Sequence, residues 1–127
     1  MVDRPFGHPL VLVATGGFAG ALSRYGVATA LPGMGATLLV NVVGSLLLGG
    51  ILHQFVVTHR LTRRTQLLSA TGFLSSFTTY STFAVQTAGA TPIWIVGNVL
   101  VTYALGFGAA ALGNRLAARV TEARWLG

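Results

Sequence analysis

Gly72-Phe73-Leu74-Ser75-Ser76-Phe77-Thr78-Thr79-Tyr80-Ser81-Thr82-Phe83 lies inside a segment otherwise apolar enough to cross a bilayer. From Ser75 to Thr82 every residue except Phe77 carries a hydroxyl. Hydrocarbon offers those groups no water, so each must find a partner within the protein. Serine and threonine also bond to nearby backbone and compete with regular helix geometry. A polar, aromatic-laced and poorly helical stretch at membrane depth is tolerated only where it is buried in protein or faces a wet cavity. The stretch therefore marks a permeation or binding path and predicts a helix broken near its middle.

The surrounding composition fixes the solvent. The 127 residues are 53% hydrophobic and 8% charged, with a mean hydropathy of +0.72. Soluble domains carry about 25% charged residues, so this chain cannot cover a water-facing surface. It reads as an all-α integral membrane protein. A span takes roughly 20 residues, and four fit, at about 9–30, 34–57, 65–88 and 93–118, with little left for loops or a soluble domain. A cleaved signal peptide ending near Ala19-Gly20-Ala21 is conceivable. It would leave three spans, so an uncleaved first helix is the expectation. Residues beyond 118 read as a charged tail.

Cysteine is absent, which removes disulfides and thiolate metal sites. The net charge is +6 with no lysine, but the arginines do not interleave with aromatics as in a nucleic-acid surface. They sit at the ends of apolar segments. With four spans, Arg4, Arg60, Arg63, Arg64, Arg115, Arg119 and Arg124 share one side, against Arg24 near the other. The positive-inside rule then places both termini in the cytoplasm.

Several residues could serve a path. The second span carries Thr37, Asn41, Ser45, Gly49 and His53 at four-residue spacing, along one slowly drifting helix face. Asn41 is well inside the span, where an unpaired amide is costly. It is either interhelical glue or a lane-lining donor. His53 is expected near the membrane edge. The fourth span has a thinner line of Asn98, Thr102, Gly106, Ala110 and Asn114. Tyr80 and Phe83 are three apart and project from one helical face, and Phe77, three before Tyr80, can extend that row. A ring edge is weakly positive and can approach a small anion without trapping it. Arg24 is either an interfacial anchor or a vestibule charge; at bilayer centre it would cost about 2.5–3.5 kcal/mol. Gly16, Gly17 and Gly20, with Ala109/Gly113 and Gly106/Ala110, form small-residue faces for close helix packing.

The only carboxylates are Asp3 and Glu122, both outside the spans. A proton-coupled exporter needs an intramembrane acid, so a small multidrug-type exporter is disfavoured. No Ser/His/Asp set or His/carboxylate cluster suggests catalysis. A passive pore or a non-conducting structural subunit remains.

These residues resemble the Fluc (CrcB) family of fluoride channels over nearly the whole chain. The resemblance rests on Gly16-Gly17-Phe18-Ala19-Gly20-Ala21 followed by Arg24-Tyr25. It continues through Thr37-Leu38-Leu39-Val40-Asn41-Val42-Val43-Gly44-Ser45, Gly72-Phe73, Phe77 to Phe83, and Asn98. It implies a dual-topology, antiparallel dimer of four-helix subunits in the cell (plasma) membrane, exporting fluoride passively. It implies a fluoride path along Asn41, Tyr80 and Phe83, with Arg24 by the vestibule, and the hydroxyls of Thr37, Ser81 and Thr82 are expected along the same path. It also implies a structural sodium ion at the dimer centre, held by the main-chain carbonyls of Ser75 and Thr78. Tyr80 stands where the family usually has phenylalanine, and the fourth span is poorer in hydroxyls than the family's polar track. An antiparallel homodimer needs each chain to insert both ways, whereas the arginine bias favours one direction. The expected partner is therefore a second copy or an oppositely oriented paralogue. The alternative is a non-conducting structural partner within such a heterodimer.

Overall fold

The computed structural model describes residues 7–127; Asp3 and Arg4 lie outside them. The described chain is helical nearly throughout. Helix α1 spans Gly7–Ala30. Helix α2 spans Gly33–Leu52 and runs on as a π-helical turn over His53–Val57. The third rod is composite. Helix α3 (Arg63–Gln66) leads into a π-helical stretch at Leu67–Leu74 and then into α4 (Ser75–Phe77). After an extended Thr78-Thr79 the chain re-enters helix as α5 (Tyr80–Ala88), and α6 (Pro92–Leu126) completes the chain.

Three helical segments, His8–Ala30, Gly33–Val57 and Pro92–Leu126, are each long and apolar enough to cross a membrane. The third rod reaches a comparable length only by joining pieces across the break. Only a handful of large side chains are buried, among them Val40, Leu74, Phe77 and Phe83. Leu10, Phe18, Val85 and Phe107 are each at least 70% exposed. So much apolar surface suits lipid or a neighbouring subunit, not water.

Glycine brings the rods together. Without a hydrophobic drive in lipid, helices associate through close backbone packing. A Cβ on Gly16 would overlap the Leu68 carbonyl oxygen, one on Gly20 the Phe73 carbonyl oxygen, and one on Gly72 would lie 2.8 Å from the Val13 oxygen. These contacts seat α1 against the π-helical stretch. On the other side, a Cβ on Gly49 would overlap the Ala110 oxygen and one on Gly113 the Leu46 oxygen, which locks α2 to α6. The small-residue faces are thus used inside the subunit.

The charged C-terminal stretch is helical. Helix α6 continues past Ala118 to Leu126. Leu116, Ala117, Ala118, Arg119 and Arg124 are all good helix formers, and charge alone does not end a helix. At about 1.5 Å per residue its 35 residues reach roughly 50 Å, well past a hydrocarbon core of about 30 Å. The added turns dock on the end of α2. The Gln54 amide donates to the Thr121 hydroxyl at 3.2 Å, and the Arg60 guanidinium lies 5.7 Å from the Trp125 ring centre. His53, expected near the membrane edge, is buried at the start of the π-helical turn.

Candidate functional site

The break between α4 and α5 is held from outside by one side chain. The Thr79 N–H donates to Asn41 Oδ1 at 2.8 Å, and Asn41 Nδ2 donates to the Thr79 carbonyl at 3.0 Å. Both backbone groups of a buried residue are satisfied by a single amide, which an asparagine can do because it carries a donor and an acceptor side by side. The second Nδ2 hydrogen is left over. Thr79 then caps the helix that follows: its hydroxyl oxygen accepts from the Thr82 N–H at 3.2 Å. Gly44, one turn past Asn41, lets Thr78 in, since a Cβ there would overlap the Thr78 methyl.

Two cavities flank this clamp, and Thr79 lines both. The larger, about 550 Å³, is an open groove between α2, the third rod and α6. Asn41, Ser45, Tyr80, Phe83, Thr102 and Tyr103 line it, as do Ser75 and Thr78. The smaller, about 330 Å³, is lined by Arg24, Tyr25, Thr37 and Thr82 among others. The residues singled out in the sequence therefore divide. Asn41, Tyr80, Phe83, Ser75 and Thr78 meet in the groove. Arg24, Thr37 and Thr82 meet in the smaller cavity. Ser81 lines neither; its hydroxyl lies 3.4 Å from that of Thr79.

The rings form a longer row than Tyr80 and Phe83 alone. Their centres are 5.9 Å apart, Phe83 meets Tyr103 edge-on at 6.3 Å, and Tyr103 continues to Phe107 at 6.0 Å. Tyr103 and Phe107 are four apart on α6 and so share a face. Phe77 does not extend this row. It is buried and stacks on Phe73 at 5.5 Å, because the extended Thr78-Thr79 link separates its helix from that of Tyr80. Phe83 is buried and Tyr80 is largely exposed, so Tyr80 stands at the open side of the groove.

A chain of polar groups backs Phe83. The Thr87 hydroxyl donates to the Phe83 carbonyl at 2.6 Å, Asn98 Nδ2 donates to the Thr87 oxygen at 2.7 Å, and the Thr102 hydroxyl approaches Asn98 Oδ1 at 3.4 Å. It fixes α5 against α6 at the level of the ring row. Among the described residues the groove is lined by no charged side chain, while Arg24 lines the smaller cavity. Chemically, the smaller cavity offers a positive charge and the groove offers amide, hydroxyl and ring groups.

The chain is similar to known proteins over most of its length. Residues 11–114 match the family model described as "CrcB-like protein, Camphor Resistance (CrcB)". The chain is 49% identical over 115 residues to "Fluoride-specific ion channel FluC 1" of Haloarcula marismortui, covering 86% of this chain and 90% of that protein. It is 50% identical over 108 residues to "Fluoride-specific ion channel FluC 2" of Halobacterium salinarum, covering 84% of each. It is 52% identical over 100 residues to "Fluoride-specific ion channel FluC 1" of Natronomonas pharaonis, covering 77% of this chain and 84% of that protein.

Proposed function

The chain belongs to the CrcB family, and from that membership we propose that it is a subunit of a passive, fluoride-selective channel that exports fluoride from the cytoplasm. The observation that carries this reading is the groove, free of charged residues among those described, that the Asn41 amide and the Tyr80–Phe83–Tyr103–Phe107 row line together. Fluoride is small and holds its water tightly, so a path must offer hydrogen-bond donors as that water is shed. The leftover Asn41 N–H and nearby hydroxyls are such donors, and ring edges add weak positive potential. Nothing on the groove wall is positive enough to trap the ion, which conduction also requires. Arg24, with Thr37 and Thr82, serves as the vestibule that gathers anions.

The finer reading follows the same chemistry. The subunit sits in the cell membrane with its arginine-rich end in the cytoplasm, where both termini lie. Its exposed apolar faces and open groove are completed by an antiparallel partner, a second copy or an oppositely oriented paralogue. A sodium ion, a hard cation suited to oxygen ligands, is held at the break by the Ser75 and Thr78 carbonyls. The residues fit that assignment, because both carbonyls sit where the helix is interrupted. A cation bound there would supply positive charge at the break.

Growth tests the function and the pairing together. In a bacterium lacking its own fluoride exporter, the chain is expected to restore growth in millimolar fluoride. Restoration by the chain alone supports self-pairing. Restoration only alongside a paralogue of opposite arginine bias supports a heterodimer. Failure in both cases contradicts the channel reading.

A further inference from the structure

The break leaves the Ser75 and Thr78 main-chain oxygens without the N–H donors a continuous helix would give them, and the reason lies in two side chains. In a continuous helix the Thr79 N–H would bond to the Ser75 carbonyl and the Thr82 N–H to the Thr78 carbonyl, four residues back in each case. Neither does so. The Thr79 N–H is taken by Asn41 Oδ1 at 2.8 Å, and the Thr82 N–H by Thr79 Oγ1 at 3.2 Å. The diverted pair is the same pair, Ser75 and Thr78, whose carbonyls were assigned to sodium. A cation is already drawn to one of them. Arg24 Nη1 approaches the Thr78 oxygen at 3.4 Å, beyond the usual 2.7–3.2 Å of an N–H···O bond, so that oxygen keeps lone-pair capacity.

We propose that Asn41 and the Thr79 hydroxyl are positioning residues for the cation site: by withdrawing two N–H groups, they expose the Ser75 and Thr78 carbonyls to the ion. Neither side chain touches the cation. Asn41 thereby has two tasks, since its side chain lines the anion groove while its Oδ1 keeps the Thr79 N–H from the Ser75 carbonyl. Cation and anion sites are then coupled through a single amide. A carbonyl relieved of its N–H partner has more capacity for a hard cation, so losing either diverting group lets the helix reclaim the oxygen.

The inference rests on the sodium reading, and its test separates the two. The purified protein is melted in detergent in sodium chloride and in N-methylglucamine chloride at equal ionic strength. The wild type is expected to melt higher in sodium. Asn41→Ala and Thr79→Ala are expected to lose more than half of that difference, while Thr79→Ser, which keeps the hydroxyl, retains it. A purely structural role would lower melting equally in both salts and leave the difference intact, which would overturn the inference while sparing the sodium reading. No sodium-specific difference in the wild type would overturn both. Amide exchange on the wild type needs no variant to fold. Exchange at Thr79 and Thr82 should quicken when sodium is replaced, and identical exchange in both salts would contradict the coupling.

Discussion

Replacing Asn41 by alanine is expected to slow fluoride release from proteoliposomes at least tenfold. The substitution deletes two hydrogen bonds to one buried residue, at 2.8 and 3.0 Å. Leaving a buried N–H or C=O unpaired costs about 1–3 kcal/mol each, and about 1.4 kcal/mol already corresponds to a tenfold change in rate. The cheapest relief is for the Thr79 N–H to return to the Ser75 carbonyl, which straightens the break. Tyr80 and Phe83 follow directly after Thr79, so a straightened link re-aims both rings away from Tyr103. The leftover amide donor is lost at the same stroke. Fluoride-electrode recordings at matched protein density would read the effect. Release within twofold of the wild type would mean that the clamp does not organise the path.

Valine at Gly113 is expected to abolish the folded subunit. A Cβ there would overlap the Leu46 carbonyl oxygen and lie 3.1 Å from the Gly50 nitrogen. The obstruction is backbone on both counts, so no rotamer change relieves it. Gly49 makes the reciprocal contact with Ala110, so separating the helices at one glycine also loosens the other. Closely packed helices that must separate lose the contacts that replace a hydrophobic drive in lipid. Core overpacking alone costs about 1–3 kcal/mol, and more where backbone must shift. Gly35 has nothing within 4 Å of a built Cβ, and Gly35→Ala serves as the tolerated comparison. Size-exclusion profiles in mild detergent should show aggregate for Gly113→Val and a monodisperse peak for Gly35→Ala. A monodisperse Gly113→Val protein would contradict the close approach of α2 and α6.

Much of this was legible in the residues. Apolar composition with arginines at segment ends identifies a membrane protein on transfer energetics alone. The hydroxyl run announces a broken helix, because so many local hydrogen-bonding groups compete with the helical ladder; the break falls at Thr78-Thr79. Asn41 stands out as an amide within an apolar span. What it bonds to was hidden, because its partner is the backbone of Thr79, and backbone carries no residue signature. Tyr103 and Phe107 passed unnoticed for a related reason. Helix α6 is apolar around most of its circumference, so four-residue spacing there does not separate a groove wall from a lipid face. Phe77 was read into the ring row because periodicity assumes an unbroken helix, and two extended residues suffice to turn it onto Phe73. The charged residues beyond Ala118 give no sign of their conformation by charge alone, and there α6 continues to Leu126.

The central claim is that a groove of donors and ring edges at the Asn41–Thr79 break conducts fluoride. Detergent reconstitution lets the chain insert in both directions, which removes the constraint imposed by its arginine bias. The deciding measurement is therefore ion release from proteoliposomes holding this chain alone, loaded with fluoride and chloride together and read with an electrode for each. Rapid loss of fluoride with chloride retained is the expected result. Retention of both ions, or release of both together, would contradict it.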